Sequence, residues 1–181
     1  MDSKARSRIE ALLDAQSFVE IGALVKSRST DFIREAEREA SDGVICGYGS
    51  ISGKPVYIYA QNRDVLSGSV GEMHGRKIAH LYDMAMKMGA PVVELLDSSG
   101  IRLEEATDAL YALSKLYKKK AQAKGLIPLY SVLYGQAGGG MALLASLSDF
   151  CFMENQEGRL FINAPDAVKG NKDASFSEGK A

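Results

Sequence analysis

The chain has 181 residues, the length of one domain or of a large part of a longer protein. Its 22 lysines and arginines nearly balance 23 aspartates and glutamates, and the formal net charge of −1 argues against a general nucleic-acid-binding protein. With 46% hydrophobic and 25% charged residues, the composition is that of a folded soluble protein. No segment reads as a signal peptide or a transmembrane helix. Cys46 and Cys151 each lie in an apolar stretch, so we expect buried, reduced thiols and a cytoplasmic protein.

Hydrophobic periodicity predicts helices that alternate with strands, which indicates an α/β fold with parallel strands joined by helical crossovers. The charged segment at 22–41 is interpreted either as an arm or as a solvated linker. The predicted elements, in chain order, are a helix at 3–15, strands at 44–48 and 55–60, a helix at 72–88, a strand at 92–96, a helix at 102–123, a strand at 127–134, a helix at 141–147, and short strands at 150–153 and 159–162.

The helix predicted at 102–123 carries an apolar face and a group of lysines. We expect the apolar face to be buried, and its residues are Leu103, Ala106, Leu110, Leu113 and Tyr117. The lysines either attract a phosphate-rich ligand or, as such runs usually do, form a solvated face. They are Lys115, Lys118, Lys119, Lys120 and Lys124.

Three glycine-containing loops follow predicted strands, at 67–71, 97–100 and 135–140. In a parallel sheet, ligand sites gather where the carboxyl ends of strands meet loops and helix N-termini. The run Gly138-Gly139-Gly140 permits a sharp turn, and the helix after it presents unpaired N–H groups and the positive end of its dipole. The pattern indicates either an anion or oxyanion site or a tight turn that lets helix and strand pack closely.

The other two loops leave similar alternatives open. Ser67–Gly71 precedes a helix that has Glu72 in its first turn, so this loop either binds a ligand or caps the helix. Asp97 is a candidate carboxylate at a strand end. Arg102 either binds an anionic group or pairs with Asp97 in a capped turn.

Other chemistries lack their signatures in this sequence. His74 and His80 are the only histidines, and they lack the HExxH spacing of a zinc site. No G-x-S-x-G nucleophile elbow and no Gly-Lys-Ser/Thr phosphate loop occur. We therefore expect neither a metal site nor nucleotide hydrolysis.

Several blocks of sequence together resemble the biotin-dependent acyl-CoA carboxyltransferases, which include the beta subunits of acetyl-CoA and propionyl-CoA carboxylases and the related decarboxylases. The blocks follow the family's order over nearly the whole chain, and together they are more specific than any single motif. The chain departs from the family's common DSGGAR by reading DSSGIR at 97–102. The blocks are ARSRIEALLDAQSFVEIG at 5–22, SDGVICGYGSISGKPVYIYAQ at 41–61, GSVGEMHGRKIAHLYDMAMKMGAPVVELLDSSGIR at 68–102, AGGG at 137–140 with LSDF at 147–150, and LFINAPDAV at 160–168.

The resemblance implies a crotonase-like α/β fold, a spiral of ββα units, over 1–181, with an N-terminal helix and arm at 1–41, a core at 42–170 and a frayed tail at 171–181. It implies transfer of a carboxyl group between carboxybiotin and an acyl-CoA, such as acetyl-CoA or propionyl-CoA, through a thioester enolate. The enolate oxygen would accept hydrogen bonds from the N–H groups of Gly139 and Gly140. The further residues expected at the acyl-CoA are Gly68, Ser69, Gly100, Arg102 and Gly138.

A complete carboxyltransferase has two crotonase-like halves, and this chain resembles only the first, the acyl-CoA side. The chain has no Met-Lys-Met biotin-acceptor motif, so the resemblance implies a separate biotin carboxyl carrier protein. It also implies a second half or subunit and an oligomer, with no nucleic acid and with no membrane unless the protein belongs to a sodium-pump decarboxylase. Two alternatives stay open: a stand-alone crotonase-like decarboxylase, hydrolase or isomerase subunit, for which Glu72 is the only nearby acid or base, and a non-catalytic scaffold.

Overall fold

The structure is a computed structural model that describes residues 3–30 and 41–163. Short 3-10 turns precede two of the helices, at Leu66–Gly68 and Leu103–Glu105. The helices and strands are α1 (Lys4–Leu12), β1 (Val19–Ile21), β2 (Val44–Ile51), β3 (Lys54–Gln61), α2 (Glu72–Met88), β4 (Val92–Ser98), α3 (Ala106–Ala123), β5 (Leu129–Gly138), α4 (Gly140–Ser146), β6 (Phe150–Met153) and β7 (Arg159–Phe161).

The strands of the described ranges form one mixed sheet in the order β1-β2-β3-β4-β5-β6, with β7 paired to β5. The pairs among β1, β2 and β3 are antiparallel, whereas β3, β4, β5 and β6 are parallel to their neighbours. Helices α2, α3 and α4 connect the parallel strands, as parallel pairing requires. The predicted α/β sheet with helical crossovers is confirmed. This topology places the carboxyl ends of β3, β4 and β5, with their loops, at one edge of the sheet.

Two apolar layers cover the two faces of this sheet. The larger layer lies between the sheet and the helices α2 and α3, and it includes Ile78 and Leu116. The smaller layer packs Ile9 of α1 against Ile58 of β3. No helix within the described ranges has the length and apolar character needed to cross a bilayer.

The buried face of α3 differs from the predicted one. Leu103 and Leu110 are 83% and 55% exposed, whereas Leu113 is buried as predicted and three alanines contribute to the buried face. The cause is the close approach of α2, because a Cβ added at Gly75 would lie 2.8 Å from the Cβ of Ala112. Larger side chains do not fit at the point where Gly75 meets Ala112. The buried residues of α3 are Ala109, Ala112, Leu113, Leu116, Lys120 and Ala123.

Several boundaries and burial states also differ from expectation. The strand before the glycine run continues to Gly138, so the turn predicted over 135–140 is confined to Gly139. Strand β1 has no counterpart among the predicted elements. Cys46 is buried as expected, but Cys151 is exposed because β6 lies at the end of the strand order. The tail at 171–181 and most of the arm, 31–40, lie outside the described residues.

Candidate functional site

The turn between β5 and α4 depends on closely packed glycines. A Cβ added at Gly138 would lie 2.6 Å from the ring of Phe161 on β7. Gly139 has φ +56° and ψ −122°, a conformation that L side chains rarely adopt. Its N–H donates to the carbonyl of Phe161 at 2.9 Å. These glycines therefore let strand β7 and the turn pack closely together.

The Gly140 N–H is different, because it donates no hydrogen bond to any residue that the structure describes. Its peptide is held by the Gly139 carbonyl, which accepts hydrogen bonds from the N–H groups of Ala142 and Leu143 at 3.1 and 3.3 Å. The structure therefore differs from the expected donor pair Gly139 and Gly140 at one of its two members. Gly140 has a free N–H, whereas the Gly139 N–H is engaged by Phe161.

The loop before α2 does not supply a free pair of donors either. The Gly68 N–H donates to the Val65 carbonyl at 2.9 Å, and the Ser69 N–H donates to the Leu66 carbonyl at 3.0 Å. Both are used by the 3-10 turn, so the expectation that Gly68 and Ser69 offer a second peptide donor is not met. A Cβ added at Gly68, where φ is +64°, would lie 2.3 Å from the Asp97 carbonyl oxygen, so this glycine allows contact with β4.

A second free N–H occurs at Ile101, in the loop after β4. Val70 donates to the Gly100 carbonyl at 2.8 Å and accepts from the Arg102 N–H at 3.0 Å, in a parallel bridge that involves Ile101. The Gly100 N–H is used by the Ser98 hydroxyl at 3.1 Å. The N–H of Ile101 has no partner in the described part of the chain. Sequence reasoning overlooked this residue, because its side chain gives no sign of its peptide's role.

The topology places these two free N–H groups beyond the same ends of two adjacent strands. Ser98 and Ala137 are the last paired residues of the parallel strands β4 and β5. Ile101 lies three residues beyond Ser98, and Gly140 lies three residues beyond Ala137. Both donors therefore follow the same edge of two adjacent strands. Peptide N–H groups in such a position can bind an anionic oxygen or stabilise charge that develops on a carbonyl oxygen.

An open cleft of about 460 Å³ adjoins Ile101, within the size range of small-molecule sites. Two of its wall residues, Leu66 and Ser67, have positive φ angles of +48° and +54° without being glycine. Backbone strain of this kind is frequent at ligand sites. The residues that line the cleft are Leu66, Ser67, Ser69, Ser99, Ile101, Arg102, Leu103 and Glu104.

The Arg102 guanidinium joins the loops around this cleft. Its side chain is 1% exposed and forms an ion pair with Glu105 at 2.8 Å. It also donates to the carbonyls of Ser69 and Asp42, at 2.8 and 3.1 Å, and to the Ser69 hydroxyl at 3.1 Å. The expected pair with Asp97 does not form. The side chain expected to bind an anionic ligand is instead committed to protein acceptors, and it anchors the two loops.

The Asp97 carboxylate pairs with two other arginines. Its oxygens lie 3.1 Å from Arg8 and 3.4 Å from Arg63. A Cβ added at Gly135 would lie 2.0 Å from one of these oxygens, so the glycine makes room for the carboxylate inside the sheet. Asp97 therefore links α1 to the strand ends rather than serving as a free carboxylate.

Glu72, the acid or base considered for a stand-alone enzyme, is likewise paired. It lies 3.0 Å from Arg28 and 2.6 Å from Arg76. Its carboxylate is therefore engaged by two guanidinium groups. This arrangement weakens its candidacy as a proton donor.

A buried polar network supports the loops from below. His74 donates from Nδ1 to the Asp42 carbonyl at 3.1 Å, because that oxygen can only accept. Its Nε2 accepts from the Gln61 amide at 3.3 Å, and the Gln61 carbonyl oxygen accepts from the Asp97 N–H at 3.2 Å. Burial lowers the pKa of His74 to about 3, so the ring is neutral at physiological pH. The carboxylate of Asp42 pairs with buried Lys77 at 3.1 Å.

The lysine group of α3 is divided between surface and core. Lys120 is fully buried and pairs with Glu94 at 2.5 Å, so it is not part of a basic surface. Lys115, Lys118 and Lys119 line a cleft of about 370 Å³ between α2 and α3. Among the residues with described positions, no group of histidine, cysteine and acidic side chains is arranged to hold a metal ion.

Proteins with established names are similar in sequence to most of this chain. The propionyl-CoA carboxylase beta chain of Roseobacter denitrificans is 39% identical over 165 residues, which are 91% of this chain and 32% of the relative. The methylmalonyl-CoA decarboxylase subunit alpha of Veillonella parvula is 42% identical over 165 residues, with the same coverage of 91% and 32%. The chain thus spans about a third of the length of these relatives.

Solved structures share its fold. Transcarboxylase 12S, described as a hexamer with methylmalonyl-CoA and methylmalonic acid bound, superposes with a TM-score of 0.86 at 33% identity, over 91% of this chain and 32% of that one. A Pseudomonas malonate decarboxylase hetero-tetramer in complex with malonate gives a TM-score of 0.84 at 28% identity, over 97% of this chain and 71% of that one. The crotonase-like fold is confirmed. The family model described as the carboxyl transferase domain matches residues 3–177, and the chain belongs to this family.

Proposed function

We propose that this chain forms the acyl-CoA side of a biotin-dependent carboxyltransferase, which moves a carboxyl group between carboxybiotin and an acyl-CoA such as acetyl-CoA or propionyl-CoA. The observation that carries the proposal is the pair of free N–H groups, Ile101 and Gly140, at adjacent strand ends of a carboxyl transferase domain. The methylmalonyl-CoA bound in transcarboxylase 12S supports an acyl-CoA as the ligand. The beta5 subunit of a mycobacterial acetyl-/propionyl-CoA carboxylase, named as biotin-dependent and 41% identical, supports the use of biotin.

In this proposal the two N–H groups donate to the thioester carbonyl oxygen. Negative charge develops on that oxygen when the α-carbon loses a carboxyl group to biotin, or loses a proton that the ureido group released from carboxybiotin would accept. Each well-placed donor then lowers the barrier by about 3–4 kcal/mol. Biotin on its carrier supplies or removes the carboxyl group.

The pairing of the acidic side chains at these loops favours carboxyl transfer over hydrolysis or isomerisation, which would need an acid or base side chain. Glu72 and Asp97 are each paired with two arginines, so neither is poised as a general acid or base. The proposed stabilisation of the enolate relies on peptide groups alone. Gly68, Ser69, Gly100 and Gly138 shape the walls and turns around those groups, and Arg102 holds the loops.

The remaining parts of the site would come from partners. The chain covers 32% of the propionyl-CoA carboxylase beta chain, and transcarboxylase 12S is described as a hexamer. We accordingly propose a second carboxyltransferase half or subunit, a biotin carboxyl carrier protein and an oligomeric, cytoplasmic assembly.

Calorimetric titration with acetyl-CoA, propionyl-CoA and free CoA tests the acyl-CoA assignment. Gly140 is replaced by glycolic acid, which turns one peptide into an ester and removes the N–H without adding an atom. Glycolic acid at Gly125, an exposed turn glycine, is the matched control. We expect acyl-CoA to bind more tightly than CoA, and the ester at 140 to weaken acyl-CoA alone by about fivefold, the equivalent of one hydrogen bond.

Two outcomes would contradict the assignment. Equal binding of acyl-CoA and free CoA, unchanged by the ester, would show that the thioester oxygen is not held at Gly140. Binding of none of the three ligands would make the non-catalytic scaffold the better description of this chain.

A further inference from the structure

We propose that Tyr117 is a positioning residue for the Gly140 donor, and that its hydroxyl holds the turn that carries the Gly140 N–H against α3. This inference rests on the proposed function, because it concerns the donor assigned there to the thioester oxygen. Tyr117 lies on α3, a different element from the turn that it would orient.

The contact between the two residues is direct. The Tyr117 hydroxyl donates to the Gly140 carbonyl at 2.6 Å. A Cβ added at Gly140 would lie 2.7 Å from the Tyr117 hydroxyl oxygen and 2.7 Å from Cδ2 of Leu113. The first residue of α4 therefore rests on α3 with no side chain between them, and the tyrosine hydroxyl is its polar contact.

This hydrogen bond acts on the donor through the two peptide planes that meet at Gly140. The plane before it is fixed because the Gly139 carbonyl accepts from Ala142 and Leu143. The plane after it contains the Gly140 carbonyl, which Tyr117 holds. Peptide groups are planar, so fixing both planes fixes φ and ψ of a residue that otherwise has the widest backbone freedom. The first plane is held within α4 and the second is tied to α3, so the Tyr117 hydrogen bond fixes the position of the Gly140 N–H relative to α3.

The hydroxyl is suited to this role over the working pH range. Tyr117 is partly buried, and this burial raises the pKa of its phenol above the usual value. The group therefore stays protonated and remains a donor at neutral and mildly alkaline pH. A phenylalanine would fill the same space against Leu113 but would lose the hydrogen bond that ties the Gly140 carbonyl to α3.

Isotope-edited infrared spectroscopy of bound propionyl-CoA, labelled with ¹³C at the thioester carbonyl, tests the inference on the full chain. Hydrogen bonds to a carbonyl oxygen lower its stretching frequency, so the shift on binding reports how well the donors are aimed. We expect Tyr117→Phe to reduce this shift while affinity falls by less than about fivefold. Tyr111→Phe, which removes an exposed hydroxyl from the same helix, is the control and leaves the shift unchanged.

The possible outcomes separate this inference from the proposed function. A wild-type shift that Tyr117→Phe does not alter overturns the positioning role and leaves the proposed function standing. The absence of any shift in the wild-type complex overturns the proposed function, and the positioning role falls with it. A shift that is reduced in Tyr117→Phe but not in Tyr111→Phe supports both the positioning role and the proposed function.

A second measurement covers the case in which Tyr117→Phe does not fold. 3-Fluorotyrosine at position 117 keeps the hydroxyl and the packing but changes the strength of the donor. We expect the carbonyl ¹³C resonance of Gly140 and the amide resonance of Met141 to move, with little change elsewhere. Unchanged resonances at both residues would overturn the inference without any ligand being added.

Discussion

The Lys120 ammonium and the Glu94 carboxylate lie 2.5 Å apart, and neither side chain is exposed to solvent. Lys120 belongs to α3 and Glu94 to β4, so the pair crosses from helix to sheet. The Glu94 carboxylate also accepts from the hydroxyls of Tyr82 and Ser131. The pair is therefore enclosed in a small polar network beneath the helix that carries Tyr117.

Removal of either partner is expected to destabilise the fold strongly, because the other charge is left buried without a counter-charge. For Lys120→Met the free energy of unfolding should fall by about 3–5 kcal/mol, and Glu94→Leu/Lys120→Met should lose less than the sum of the single variants. Urea denaturation of the four proteins measures this coupling. The control is Lys119→Met, whose partner Asp83 is 39% exposed, and it should cost less than about 1 kcal/mol. Strict additivity would contradict the prediction.

The buried ring of His74 makes stability depend on acidity. Burial lowers its pKa in the folded state to about 3, whereas the unfolded value is about 6.5. Between these values the unfolded chain binds a proton that the folded chain does not, so this contribution to stability is lost as pH falls below about 6.5. The slope approaches about 1.4 kcal/mol per pH unit. The pKa of the neighbouring Asp42 carboxyl is raised by burial, which acts in the opposite direction.

Urea midpoints measured between about pH 4 and pH 8 report this slope. His74→Gln should have a flatter pH profile than the wild type. His80→Gln, an exposed histidine on the same helix, should keep the wild-type slope. If His74→Gln and the wild type gave parallel profiles, the neutral buried ring would not be the source.

Hydrophobic periodicity was sufficient for the order of strands and helices, apart from the short strand β1. Helix α2 has the predicted bounds, because its apolar residues recur at helical spacing and Gly89 ends it with φ +64°. The buried face of α3 was predicted only in part: Leu113 is buried, but Leu110 is exposed, and Ala112 packs where α2 comes close. The pattern of side chains within one helix does not indicate how closely a neighbouring helix will pack against it.

The site was predictable only in part for a related reason. The glycine run marked the turn before α4, and Gly140 does present a free N–H. Whether a peptide N–H is free depends on its partner, and the partner of Gly139 is Phe161, which comes from a strand much later in the chain. Ile101 was missed because a backbone donor leaves no trace in the type of its side chain.

The close approach of α2 and α3 gives a direct test at Gly75. In an isolated helix Gly→Ala stabilises by about 1 kcal/mol, but here the added methyl group would lie 2.8 Å from the Cβ of Ala112. We expect Gly75→Ala to destabilise by about 1–3 kcal/mol as the helices are forced apart. Ala112→Gly in the same chain should restore part of the loss, and thermal unfolding measures both. A more stable Gly75→Ala protein would show that the helices can separate without cost.

Arg102 separates an anchoring role from a ligand-binding role. Its guanidinium bonds to Ser69, Asp42 and Glu105 together, which the single ammonium of lysine cannot do. We expect Arg102→Lys to leave buried acceptors unpaired and to lower the free energy of unfolding by about 3–5 kcal/mol. The Val70 N–H is bonded to the Gly100 carbonyl between the two anchored loops. In Arg102→Lys its exchange with solvent should accelerate more than the exchange of the Leu133 N–H in the core. Unchanged stability and exchange, with a loss confined to CoA affinity, would instead mean that Arg102 binds the ligand itself.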